Sequence, residues 1–338
     1  MKKLIITIAL AGITNIIFAQ SIDSLQTLAH TQMQASDFDN ACKTLALALQ
    51  SSPNNLDLLK DQLFATMLKR DFGTSIQLGE DLIKRPDADV QCYQLLGSTY
   101  KQLAEYKEGD KVYKAGLKKF PTSGVLYGEY GDLLIQNNQG SEAIAILEKG
   151  IKADVNNNGN YYYAAKYYIS SSNTDNLLQG LLYGEIFVNI ESYTPRTDEI
   201  KKLLLQGYKK LFTGKILAKT ASDGKGFINT VATILSKDAP AKKDGITLED
   251  IAEARWKFIL DWQTSPNMAT YPYRLFDMYR QLVNAKIFDA YNQWLLGAAD
   301  NADKYQQWQT DHAAAMEQWE QMLHNIVFKI PAGQYYGN

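Results

Sequence analysis

Hydrophobic positions in the first half of the chain recur at helical spacing. Tyr93, Leu96, Gly97 and Tyr100 stand three, one and three residues apart, which puts them on one face of an α-helix. Gly109, Tyr113 and Gly116 repeat that spacing until Pro121 ends it. Shifted by 34 residues, the same residue types return. Phe38, Phe72 and Tyr106 share one position, with Gly140 in the fourth copy, and Ala41, Ser75, Gly109 and Ala143 share another. Contiguous units therefore run over 22–55, 56–89, 90–123 and 124–157. Each predicts a helical hairpin whose small residues permit close approach. One hairpin leaves an apolar face open, so the units are expected to stack.

This period and pattern resemble the tetratricopeptide repeat. Tyr93, Leu96, Gly97, Tyr100, Gly109, Tyr113 and Pro121 fill its signature in the third unit. Tyr127, Tyr130, Gly131, Leu134, Ala143, Leu147 and Gly150 fill it in the fourth, and Leu25, Leu28, Ala29, Ala41, Leu45, Ala48 and Pro53 in the first. The second unit departs, with Gln62 and Leu63 where Leu-Gly is usual. A fifth, 158–191, offers Tyr161, Ala164, Ala165, Tyr168, Leu181 and Gly184, with Pro195 arriving late. The resemblance implies an all-α protein, a right-handed α-solenoid of about five hairpins with a concave groove, in a family of non-catalytic protein-protein interaction scaffolds.

From Thr197 the 34-residue register is lost while helical periodicity persists, predicting helices near 197–213, 226–237, 248–263, 272–298 and 301–329. Thr247 and Asp250 have capping-box spacing. All five tryptophans, Trp256, Trp262, Trp294, Trp308 and Trp319, lie in this part. Trp308 and Trp319 would share one face of an unbroken last helix with Ala315 and Met322. The expected organisation is a leader at 1–19, repeats at 20–195 and a helical C-terminal domain at 196–338. That arrangement is similar to exported envelope repeat proteins with a helical C-terminal extension.

Charge narrows the partners. The 35 Lys and Arg against 37 Asp and Glu offer no excess of cations to neutralise phosphates, which argues against nucleic acid. The start, MKKLIITIALAGITNIIFAQ, has a basic tip, an apolar run too short and too interrupted by Thr7, Thr14 and Asn15 to span a membrane, and a small residue, Ala19. It reads as a secretory signal, leaving a soluble periplasmic or secreted chain. With no Cys at the cleavage site there is no lipid attachment point. Cys42 and Cys92 lie two units apart and read as small buried side chains rather than a disulfide.

Reactive constellations are not evident. His30, His312 and His324 form no ligand spacing, and no nucleophile elbow, P-loop or dinucleotide fingerprint occurs, so no enzymatic activity, cofactor or metal is expected. In the resembled family the second, fifth, ninth and twelfth residues of each unit line the groove. The resemblance therefore nominates Gln26, His30, Met33, Lys60, Phe64, Met67, Gln94, Ser98, Lys101, Asp132, Tyr162 and Lys166 for a partner segment with apolar anchors, such as part of an envelope protein. The Lys and Asn pairs with which some members grip a C-terminal carboxylate have no counterpart here. The alternative is a glycan-binding, peptidoglycan-binding or enzymatic role for the tryptophan-rich C-terminal part, with a site among Trp256, Trp262 and Trp294. Mass spectrometry of the exported chain tests the leader: the expected first residue is Gln20, and an intact Met1 or a lipid adduct would refute it.

Overall fold

The computed structural model describes residues 21–213, 215–240, 242, 245–325 and 327–336; the predicted leader lies outside them. It divides into two compact units in sequence, the first ending at Ala88 and the second starting at Asp89. The first holds α1 (Ile22–Gln34), α2 (Phe38–Ser51), α3 (Leu56–Leu68) and α4 (Phe72–Ile83). The second begins with α5 (Val90–Gln102), α6 (Tyr106–Lys119), α7 (Gly124–Gln136), α8 (Gly140–Ala153), α9 (Asn158–Ser170) and α10 (Leu177–Ile190). These ten helices are the five predicted hairpins, and no strand occurs among the described residues.

Two local devices set the 34-residue period. First, Ser21, Asn55, Asp89, Ser123 and Asn157, spaced 34 apart, each cap the leading helix of a unit by accepting a backbone N–H. Second, the link between the two helices carries a residue with positive φ: Ser36, Arg70, Ala104 and Asn138, at 57° to 64°. Around Ser36 the N–H groups of Ser36 and Asp37 reach back to Met33 and Gln32 carbonyls, which is a Schellman closure. Asp37 then caps the next helix, so one residue ends one helix and starts another. Close packing explains the glycines: a Cβ on Gly97 would lie 2.3 Å from the Tyr113 ring, and one on Gly131 would lie 2.5 Å from Leu147.

The C-terminal helices are α11 (Pro195–Thr213), α12 (Ile216–Ser222), α13 (Phe227–Leu235), α14 (Leu248–Thr264), α15 (Asn267–Thr270), α16 (Arg274–Asn284), α17 (Phe288–Asn292), α18 (Ala298–Asp300), α19 (Ala302–Asp311) and α20 (Ala313–Asn325). A π-helical turn, Gln293–Gly297, joins α17 to α18. The capping box at Thr247 and Asp250 is present. Two predicted helices are broken. The span 272–298 is interrupted at Lys286, whose φ is 61°; the N–H groups of Ala285, Lys286 and Ile287 donate to the Gln281, Val283 and Leu282 carbonyls, which repeats the hairpin link of the units. The span 301–329 is interrupted at His312, so Trp308 and Trp319 lie on different helices and share no face. Helix α12 has no counterpart among the predicted elements.

The expected boundary at 195/196 is no break in packing. One core of buried side chains runs from Leu147 to Ile330. The cause lies in α10, where thirteen residues from Leu177 to Asn189 are buried on every side, as a helix apolar all round requires. A chain segment after α20 completes the cover: the Asn156 amide grips both backbone groups of Ile330, at 3.0 and 2.8 Å, and Tyr335 donates to Glu148 at 2.5 Å. No helix among the described residues is long and apolar enough to cross a membrane.

At the centre of that core Glu185 of α10 is fully buried against Arg255 of α14, with Nη2 to Oε2 at 2.6 Å. Phenols from three more helices, Tyr208, Tyr279 and Tyr291, donate to the same carboxylate. Arg255 also donates to Asn292, and its guanidinium lies 5.0 Å from the Tyr279 ring centroid. Burial opposes the Arg255 charge, yet Glu185 together with Tyr279, Tyr208 and Tyr291 outweighs it and holds the guanidinium protonated. Replacing Arg255 by Ala leaves a buried carboxylate without its cation. The expected loss is about 3–5 kcal/mol of unfolding free energy, measured by urea titration, with the double Glu185→Met, Arg255→Met variant losing less.

Candidate functional site

The nominated residues of the first unit lie on α1 and α3. Gln26 Nε2 and His30 Nε2 both meet Asp61 Oδ2, at 2.7 and 2.8 Å. Lys60 and Met67 are each only 7% exposed, with Lys60 2.9 Å from Asp57. Met33 packs against the local core, whereas Phe64 is 37% exposed. Phe64 and His30 are thus the surface-accessible members of this strip.

In the second unit Gln94, Ser98 and Lys101 lie on α5, Asp132 on α7, and Tyr162 and Lys166 on α9. Lys101 Nζ bridges Glu129 at 2.8 Å and Asp132 at 2.6 Å. Burial disfavours its charge, but the two carboxylates and Tyr113 prevail and push its pKa up. Lys166 pairs with Glu199 at 2.7 Å, and Tyr162 donates to the same carboxylate at 2.5 Å. The Tyr162 ring is buried beneath Arg196, whose guanidinium sits 5.0 Å from its centroid. The nominated Lys101 and Lys166 are therefore already engaged within the chain.

What remains open is a cleft of about 590 Å³ between α7 and α9, lined by Asp132, Ile135, Gln136, Tyr163, Lys166, Tyr167 and Ser170–Ser172. Its aromatic wall is Tyr163 and Tyr167 rather than Tyr162. Sequence reasoning missed the sixth residue of each unit, where Asp61, Glu129 and Tyr163 stand 34 or 68 apart. Asp61 and Glu129 supply carboxylates to the preceding unit's leading helix, and Tyr163 lines the cleft. The 34-residue recurrence was the available signal. Around the cleft Glu129 and Asp132 exceed the single Lys101 they share, while Lys166 and Glu199 balance. The local field therefore disfavours an acidic segment.

Elsewhere, Trp262, Trp294 and Trp319 are core residues at 2%, 8% and 1% exposure, so of the three tryptophans proposed as an alternative site Trp256 alone, at 42%, is exposed. Lys201 Nζ rests 3.6 Å from the Trp294 ring centroid, and burial pulls its pKa down to about 8. His312 stacks on Trp308 and His324 on Tyr193. Among the described residues no group of three or more His, Cys, Asp or Glu is placed to hold a metal ion, and both cysteines are free thiols.

Residues 90–118, within the third unit, match the family model of the tetratricopeptide repeat. Two crystal structures are similar. One is a thermophilic tetratricopeptide-repeat protein of Thermus thermophilus, at 15% identity and TM-score 0.46, covering 55% of this chain and 100% of that one. The other is a tetratricopeptide-repeat protein of Parabacteroides merdae, at 14% identity and TM-score 0.42, covering 78% of this chain and 98% of that one. No curated protein matches the chain. Removing the Lys101 cation leaves Glu129 and Asp132 half-buried side by side. Lys101→Ala is expected to cost about 1–3 kcal/mol in urea unfolding, and adding Asp132→Asn should recover part of it.

Proposed function

We propose that this tetratricopeptide-repeat chain is a non-catalytic scaffold of the bacterial cell envelope, holding an extended segment of a partner protein against the leading helices of its repeats. The observation that carries this reading is the Tyr163 and Tyr167 cleft, which is open on a repeat face and lined by both apolar and hydrogen-bonding groups. Tyrosines supply large contact areas with little rotamer entropy to lose, and serines and amides beside them suit a peptide backbone. Export rests on the charged tip, short apolar run and small residue at the start of the sequence.

The charge around the cleft refines the partner. With Lys101 shared by two carboxylates and Lys166 matched by Glu199, an acidic segment gains no free cation there. A neutral or basic segment with an apolar or aromatic anchor fits better. A photo-crosslinking side chain introduced at Gln136, in the cleft, should capture a defined envelope protein identified by mass spectrometry, while one at exposed Lys152 on α8 should not. Tyr163→Ala is expected to weaken that partner's binding by about 1–3 kcal/mol. Equal capture from Lys152, or undiminished binding by the Tyr163 variant, would refute the cleft as the site.

A further inference from the structure

The second unit holds another open cleft, of about 540 Å³, formed by α14, the α16–α17 link, α19 and the start of α20. Trp256 and Trp308 both line it. A tryptophan 42% exposed, as Trp256 is, leaves a large apolar surface in water. Trp308 is held in place: His312 stacks on it at 4.2 Å with 8° between the planes, and its Nδ1 sits 3.0 Å from the Trp308 carbonyl. The indole is therefore braced by a neighbour rather than free to collapse onto the core.

The charges beside these rings are unbalanced. Glu249 and Glu253 come from adjacent turns of α14 and Asp289 from α17, against Lys286 as the one Lys or Arg on the lining. Glu253 finds Lys257 at 2.7 Å, but Glu249 and Asp289 have no ion-pair partner among the described residues. The Asn292 amide is turned inward and only 1% exposed, its Oδ1 accepting from Arg255 and its Nδ2 donating to the Phe288 carbonyl at 2.8 Å. The lining thus carries three carboxylates against one ammonium, its other donors being the uncharged Gln293 amide and the indole N–H groups. Anions are repelled, and a neutral sugar would leave the charge of Glu249 and Asp289 uncompensated. Indole faces next to unpaired carboxylates attract one kind of ligand, a positive charge on a body that can lie against a ring. The volume suits a small molecule or one long side chain with its flanking backbone.

We propose that this cleft binds an organic cation, a guanidinium or ammonium group that lies against Trp256 or Trp308 and is neutralised by Glu249 and Asp289. The site is separate from the repeat cleft and does not depend on the scaffold reading. Isothermal titration calorimetry on the whole mature chain tests it, with L-argininamide as the free cation and an end-blocked Gly-Arg-Gly peptide as the polypeptide source. Saturable binding of either probe is expected, weakening with added salt, and binding of the peptide alone would identify the source as a protein side chain. Trp256→Ala should reduce affinity about five- to thirtyfold, the range set by a desolvated cation–π contact. The Glu249→Gln, Asp289→Asn double variant should reduce it at least as much. Circular dichroism of each variant should match the parent, since these side chains lie at the surface. The proposal is overturned if neither probe saturates at millimolar concentration, or if both variants, still folded, bind as the parent does. It is also overturned if an N-acetylglucosamine trimer binds and the cations do not. Crosslinking from Gln136 should be unaffected by Trp256→Ala, which separates failure here from failure of the repeat cleft.

Discussion

The C-terminal half of this protein depends on a single buried charge, the carboxylate of Glu185. A fully buried carboxylate without a cation is strongly unfavourable, so α10 can occupy the middle of the core only if something neutralises Glu185 there. Arg255 does so, and the phenols of Tyr208, Tyr279 and Tyr291 use the remaining acceptor capacity of the carboxylate. Five helices are registered by this one group. Burial also drives those three phenols far above the ordinary tyrosine range, so they stay neutral donors across the pH range in which the protein would be handled. An apolar core of the same size would pack without such a cluster. What the cluster adds is position: each of α11, α14, α16 and α17 must present one particular polar group at one particular point.

That constraint explains why the core continues past the last repeat without a break. In a stacked array each hairpin covers the previous one, and the last needs a different cover. Here the cover is wrapped around α10 on every face, continuing through α11, α13 and the Tyr335 segment. The repeat-like link at Lys286 shows that the cover reuses the same Schellman closure, although it falls outside the 34-residue register. Glu148 plays a smaller version of the Glu185 role. It accepts from Tyr168, Tyr183 and Tyr335 and so ties a repeat helix to the end of the chain.

Much of this was legible beforehand. The hairpins and the predicted starts of α11 and α14 follow from apolar spacing and caps, because those signals are local. The breaks at Lys286 and His312 were not legible, since neither carries Gly or Pro; a left-handed lysine and a stacked histidine are tolerated only because the packing around them fixes the chain. The Glu185 and Arg255 pair, 70 residues apart, leaves no periodic trace. In the repeat cleft the nominated helix α9 forms the wall, with Tyr163 and Tyr167 lining it while Tyr162 is buried. A family position that lines the groove in a regular unit is covered here by Arg196 from α11, so the exposed face of α9 is rotated toward Tyr163 and Tyr167.

The same logic accounts for the tryptophans. Three of the five fill the space that a wrapped terminal helix creates, and Trp294 and Trp319 contact each other edge to face at 5.2 Å. Trp256 and Trp308 differ because they sit where α14 and α19 diverge around the α16–α17 link, on the outside of the Glu185 cluster. Asn292 marks the border: its amide is consumed by Arg255 on the inner side while its residue lines the outer cleft. Cations are therefore required inside that border by Glu185 and left unsupplied outside it at Glu249 and Asp289. The inner requirement is met by the chain itself, which makes the outer one the place where a positively charged ligand would gain most.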